Sequence, residues 1–518
     1  MESIQLTYPS TQEGQEFMMD NKPTVVKQWL EDLTFTDITL SLTHLLQAAK
    51  TFNRSECKLA HREENLATLD RGYLQMSRHF RQHHDQRVAT PDTEQFQLFS
   101  QLTAEMAYGY KRVIHELAEQ KMALKKPSRL AFAINQTQHY LGLHLIEHYQ
   151  QYAPVPSYIW HELHKLYHFA EQEGLHQRQQ KATGETLQAL DTIENTYKRN
   201  CLMSVINPYH IEGNLHWHLF KYFGYWGKTT YLSADLSHYT DSECFIINLL
   251  GSHPPEYAAT DIEYEEHNLY RLLITTELLK ELKKQLIYYE QHHKLPQYGF
   301  YPSIDNTSGH KLLQQIYAYC DHHIERKNIR YPSHSNVKVT IGLGPVFKTL
   351  EDTGSPLQAD SSQKDYPHLV QWQATNYSKG GLCLKQPQAD VTNLNVGNIV
   401  FIRKESSQSQ GLVGIIRWLT GNCSTGATMG IEYLKGKPKP CHYLTKNKYG
   451  ETIQHNVLLI HYETDNQTLL VTPKNLIGNK RSLGIKTENN TAEYHIISTE
   501  DSNSLVTVFA VVPKNGNI

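Results

Sequence analysis

Apolar residues recur along this chain with two different periods. From about residue 21 to about 325 the spacing is helical. Leu130, Ile134, Leu141 and Leu145 form one stripe, and Ile159, Leu163, Leu166 and Ala170 form another. The second stripe is bracketed by Pro156 and Ser157 before it and Gly174 after it, the start and stop chemistry of a helix. Leu278, Leu282 and Leu286 line a further face, as do Leu313, Ile316, Cys320 and Ile324. No fixed-period repeat emerges, so the pattern predicts a bundle or irregular helical array rather than a regular solenoid. Residues 1–20 are polar and acidic and read as a flexible tail.

After Ile324 the period shortens. Val337, Val339 and Ile341 alternate with polar or small residues. Further strand-like runs are Gly381 to Leu384, Asn398 to Arg403, Leu412 to Leu419 and Met429 to Leu434. Turn-rich pieces separate them, including Gly421-Asn422, and Glu351 to Asp365 reads as a loop. Short strands with glycine turns predict a small barrel or sandwich. Beyond Cys441 more strands are expected at Val457 to His461, Thr468 to Val471, Tyr494 to Ile497 and Leu505 to Val512. The predicted fold class is multidomain α plus β. Residues 21–325 form a mostly helical region, 326–441 an antiparallel β-barrel, and 442–518 additional strands that extend the barrel or make a second small β-domain.

A length of 518 residues supports two or three domains, and a 39% hydrophobic, 20% charged composition suits a folded globular chain. The net charge of −3 excludes a global basic field, so neither DNA nor RNA is an expected partner and any anion site must be local. Seven cysteines with no CxxC pair argue against a disulfide framework and a thiolate zinc site, and favour a reducing cytoplasm. Met1 to Asp20 is unlike a signal peptide, and no stretch approaches the ~20 apolar residues of a membrane helix.

Two separated pieces carry candidate chemistry. Glu325 to Pro332 places Arg326 and Arg330 where helical pattern gives way to strand pattern. Asn376-Tyr377-Ser378-Lys379-Gly380-Gly381 precedes a strand. A guanidinium fork addresses phosphate oxygens or the O6/N7 edge of guanine. Asn376 and Ser378 add short polar groups, and Gly380 and Gly381 allow close backbone approach or a positive φ. Together these pieces resemble the two-part signature of PilZ domains, RxxxR followed by [D/N]xSxxG. Arg326 and Arg330 match the first part; Asn376, Ser378 and Gly381 match the second. Gly397-Asn398-Ile399-Val400, Gly414 to Leu419 and Gly430 to Tyr433 resemble the family's later strands. The likeness covers Arg326 to roughly Cys441, with an insertion such as Gly344 to Asp365 lengthening the gap between the two parts. It implies a barrel that binds cyclic di-GMP through Arg326, Arg330, Asn376, Ser378, Gly380 and Gly381. It also implies a cytoplasmic signalling receptor that passes nucleotide binding to a protein partner through its helical region. The alternative is a helical scaffold whose barrel no longer binds nucleotide.

Other motifs give bland readings. His144, Glu147 and His148 fit HxxEH, the pattern of a metal-dependent hydrolase, but in a chain with 30 histidines, beside the stripe that holds Leu141 and Leu145, the match reads as accidental. His161, His164 and His168 share a helical flank and read as polar or partner-facing. Gly342-Leu343-Gly344-Pro345 lacks the third glycine of a dinucleotide loop. There is no P-loop and no nucleophile elbow. Trp418 reads as a core residue, and Arg417 is placed on a strand where it could face ligand. No catalytic residue, metal or cofactor is expected.

Overall fold

A computed structural model describes residues 4–12, 20–85, 93–119, 126–179, 192–236, 243–257, 269–321, 328–354, 369–388, 394–404, 411–422, 426–446, 448–462, 468–478, 480–487 and 490–514. The chain divides into two compact units. One comprises Met1–Pro208 and Asn214–Ile324; the other comprises Tyr209–Gly213 and Glu325–Ile518.

The first unit is mainly helical. Its helices are α1 (Pro23–Asp32), α2 (Ile38–Arg54), α3 (Leu59–Asp85), α4 (Thr93–Glu119), α5 (Pro127–Gln150), α6 (Ser157–Gln172), α7 (Ile193–Val205) and α8 (His216–Trp226), then α9 (Thr276–His292) and α10 (Asn306–Cys320). Local chemistry sets their ends. Asp37, Thr192 and Asp305 cap α2, α7 and α10 by accepting backbone N–H bonds, and prolines open α1 and α5. Gly174, at φ +66°, follows α6 as its bracketing residues predict. Between α8 and α9 the unit holds a four-stranded antiparallel sheet, β1 (Tyr231–Ser233), β2 (Cys244–Asn248), β3 (Glu256–Tyr257) and β4 (Tyr270–Ile274), in the order β1-β4-β2-β3. The helical reading of 21–325 did not contain this sheet.

Helix α5 is buried on nearly every side, not along one stripe. Its polar groups are therefore partnered. His144 Nδ1 lies 2.9 Å from Glu147 Oε2, and Glu147 also accepts the Thr103 hydroxyl. On α6, His164 Nε2 faces the His253 carbonyl at 2.8 Å and Nδ1 faces the Tyr197 hydroxyl at 2.6 Å, so His164 is a core group. Among the described residues no three histidine, cysteine or carboxylate side chains gather in a metal-holding group. No described helix is long and apolar enough to cross a membrane. Part of the stretch read as a flexible tail is pinned. The Thr7 N–H and hydroxyl both donate to Glu162 at 2.6 Å, and Lys111 donates to the Thr7 carbonyl at 3.1 Å.

The second unit is built from two barrels and a helix. The strands β5 (Tyr331–Pro332) and β6 (Asn336–Ile341) precede α11 (Leu343–Gly354), and β7 (Val370–Tyr377), β8 (Gly381–Gln386), β9 (Ile399–Lys404), β10 (Leu412–Asn422) and β11 (Gly426–Leu434) follow. They form one antiparallel sheet, β5-β7-β6-β9-β10-β11-β8, which the β7–β8 pairing closes on itself. Next come β12 (Lys437–Lys446), β13 (Thr452–His461), β14 (Thr468–Pro473), β15 (Ser482–Lys486), β16 (Thr491–Ser502) and β17 (Val506–Pro513), a second closed barrel ordered β12-β13-β14-β17-β16-β15. Strand β12 crosses position 441 and belongs wholly to this second barrel. Val346, Phe347 and Leu350 of α11 join a core containing Ile399, Phe401, Val413 and Ile415 of the first barrel and Leu458, Ile460, Val471 and Val508 of the second.

Two local readings change. Residues 351–354, read as loop, are the last turn of α11, while 355–365 lie outside the described residues. Gly421-Asn422 is not a turn: both residues pair within β10–β11, opposite Ala427 and Gly426.

Candidate functional site

The described end of the first candidate motif and the second motif meet on one edge of the first barrel. Strand β5 pairs with the end of β7, with Tyr331 opposite Tyr377 and Pro332 opposite Asn376. The Tyr331 and Tyr377 rings touch, centroids 5.6 Å apart, which fixes them on one face of the ladder. Arg330, immediately before β5, is exposed. Arg326 lies outside the described residues.

The second motif is the β7–β8 hairpin. Ser378 N–H donates to the Gly381 carbonyl at 2.8 Å, and the Ser378 hydroxyl accepts the Gly380 N–H at 3.3 Å. Neither glycine has a positive φ, contrary to one of the two roles expected of them. Their function is close approach. A Cβ on Gly381 would stand 2.2 Å from the Ile431 carbonyl oxygen of the adjacent strand. A Cβ on Gly380 would stand 2.8 Å from Nδ2 of Asn328, a residue of the arginine segment. The arginine segment and the hairpin are thus in direct contact.

Two further groups belong to this neighbourhood, and sequence reasoning gave no sign of one. Tyr209–Gly213 interrupts the helical unit and belongs to the β-rich unit. Its His210 ring lies nearly parallel to Trp418 of β10, at 16° with centroids 6.4 Å apart. Burial, and then the Arg330 charge, push the His210 imidazole down to about 4. His210 is therefore neutral and within electrostatic reach of Arg330. Trp418 lies across Gly430, where an added Cβ would meet its Nε1 at 1.8 Å. A register shift in β10–β11 between Ile416 and Trp418 sets its direction. Arg417 is committed elsewhere: its Nε donates to Glu432 at 2.7 Å, and Nη1 bonds Asp501.

The site offers an exposed guanidinium, a neutral imidazole beside an indole, and short polar groups on a hairpin. That set can receive a compact ligand carrying both negative charge and aromatic surface.

Comparison with known proteins finds similarity to one receptor family. A model described as "Cyclic-di-GMP receptor FimW, N-terminal domain" matches residues 24–235. A second, "Cyclic-di-GMP receptor FimW, middle PilZ domain", matches residues 346–440. That match takes in Asn376 to Gly381 but begins after Arg326 and Arg330. The Cyclic-di-GMP receptor FimW of Pseudomonas aeruginosa is 21% identical over 505 residues, covering 85% of this chain and 81% of that protein. No solved structure matches.

Proposed function

We propose that this chain, whose C-terminal part carries a PilZ domain, is a cyclic-di-GMP receptor that holds the nucleotide between the Arg326–Arg330 segment and the Asn376–Gly381 hairpin. The observation that supports this reading is the register of β5 on β7, in which the residues following Arg330 pair with the start of the Asn376–Gly381 hairpin. Cyclic di-GMP presents two phosphates and the O6 and N7 acceptors of two guanines. Arg330 supplies a bidentate donor to either, with Arg326 as its partner. Asn376 and Ser378 add polar groups from the hairpin. The Trp418 and His210 rings offer apolar faces against which a guanine can lie. The role is one of binding and signalling, without catalysis, in the cytoplasm. The helical region conveys occupancy to a protein partner, and it does so only as far as the nucleotide binds two arrangements of the chain with different affinity.

Calorimetric titration of the full chain with cyclic di-GMP tests this. Saturable binding that weakens in Arg330→Ala and in Arg326→Ala supports the assignment. Binding unchanged in both variants removes the arginines from the site. No binding by the parent chain would leave a scaffold whose barrel has lost its ligand.

A further inference from the structure

Several cations drawn out of water in the helical unit have a carboxylate beside them. Lys111 pairs with Glu162, Arg62 with Glu116 at 2.7 Å, Arg54 with Glu105 at 2.9 Å, and Arg271 with Glu171. Each of these four positive charges has a carboxylate beside it, which offsets the cost of burying it.

A different arrangement is centred on Tyr301, between α9 and α10. Arg81, near the end of α3, donates to the Tyr301 hydroxyl at 2.6 Å, and its guanidinium carbon lies 5.4 Å from the ring centroid. Lys221 of α8 places Nζ 4.4 Å from the same centroid. Arg199 of α7 is within electrostatic reach of Tyr301 and is wholly buried, 3.7 Å from the Phe220 centroid. Its polar neighbours are Asn200 Oδ1 and His139 Nδ1, both at 3.4 Å. Three helices thus aim cations at one tyrosine. Among the described residues no carboxylate pairs with Arg81, Arg199 or Lys221. Burial lowers the pKa of Lys221, and the Arg81 charge lowers it further, so these like charges feel one another. Beside them Trp217, under the Arg81 guanidinium at 5.7 Å, has a buried indole N–H with no acceptor. Arg81, Lys221 and Tyr301 are each part-exposed, so the cluster opens to solvent through them.

We propose that this cluster is a binding site for a phosphate group, with Arg81 and Lys221 at its mouth and Arg199 and the Trp217 N–H behind them. Guanidinium forks suit a tetrahedral oxyanion, and an ammonium and an indole N–H add donors of the same kind. A dianion would balance charge that the described residues leave uncompensated. The site is independent of the PilZ domain, since every residue in it belongs to the helical unit. Its phosphate comes either as the inorganic ion or on a phosphomonoester.

The test is thermal unfolding and calorimetry of the full chain at fixed ionic strength, with inorganic phosphate, GMP or chloride. The variant is Arg81→Gln/Lys221→Gln, whose side chains are part-exposed and so removable without opening a cavity. Saturable stabilisation by phosphate is expected, weakened on the order of ten-fold or more for each cation removed. Stabilisation by both phosphate and GMP identifies the inorganic ion as sufficient, and stabilisation by GMP alone identifies a phosphomonoester. Without phosphate, the variant should unfold no earlier than the parent, because repulsion is relieved. Equal shifts with chloride, equal shifts in parent and variant, or a variant that melts early in chloride would each overturn the proposal.

Discussion

Gly380 and Gly381 are adjacent in sequence, and alanine at each should do opposite things. At Gly381 the new Cβ would stand 2.2 Å from a backbone carbonyl, that of Ile431, and 3.5 Å from Glu432 Cα. Backbone atoms cannot rotate away, so β8 and β11 must separate by about 1 Å where Gly381 pairs with Glu432. Overpacking of that kind costs about 1–3 kcal/mol, and one weakened ladder bond adds about 1 kcal/mol. A loss of about 3 kcal/mol lowers the melting temperature of a unit this size by on the order of 10 °C. At Gly380 the Cβ would meet only the Nδ2 end of Asn328, at 2.8 Å, and an exposed side chain can move. Stability should then change by less than about 0.5 kcal/mol. Because Asn328 sits between the two arginines, displacing it should weaken cyclic di-GMP binding several-fold. Urea unfolding gives the stabilities and calorimetry gives the affinities. Gly381→Ala melting with the parent chain would refute the close-approach argument. Gly380→Ala binding nucleotide like the parent would mean that contact between the two motifs does not shape the site.

Three further expectations follow from the same geometry. Arg330→Ala should weaken cyclic di-GMP binding by roughly 5- to 150-fold, the loss of a charge-assisted contact worth about 1–3 kcal/mol, with unfolding unchanged because the side chain is exposed. Burial holds His164 down to about 4 against an ordinary 6.5, so the unfolded chain takes up the proton first. Its contribution to stability is full above about pH 6.5 and declines as pH falls towards about 4, by on the order of 3 kcal/mol; unfolding of His164→Gln should depend less on pH over that window, and an unchanged slope would exclude the histidine. Glu162→Gln strands the buried Lys111 ammonium and releases part of the hold on Thr7, and should cost about 3–5 kcal/mol in urea unfolding; a smaller loss would show that water reaches the lysine.

What the sequence revealed depended on whether a residue's role is local. Alternation exposed β6, where Val337 and Val339 meet a core, and an unbroken apolar run exposed β9, whose Ile399 to Ile402 are all buried. Strand β7 escaped notice because only Trp372 and Ala374 mark its buried face among polar neighbours. Strand β12 was hidden by Pro438 and Pro440, which normally exclude a strand. They are accommodated because β12 pairs throughout with β13 but with β15 only at His442 and Tyr443, leaving that end as an edge. In the site, the hairpin and the arginine segment were legible as motifs, since each is a short run with its own chemistry. His210 was not: nothing around it in sequence connects it to Trp418, and only the folded chain brings them together.

That five-residue excursion also has a consequence for the order in which the protein is made. Ile211 is buried, and Glu212 accepts the Ser504 N–H at 2.6 Å, in the turn between the last two strands of the second barrel. A ribosome adding about 5–20 residues per second reaches Ser504 roughly 15–60 s after it has passed Gly213. Throughout that interval residues 214–324 of the helical unit and then the β-rich unit are still being made, and the Glu212–Ser504 bond cannot form. Newborn chains therefore pass through a stage in which this loop is not yet tied to the second barrel by that bond, and any fragment that stops short of Ser504 never forms it.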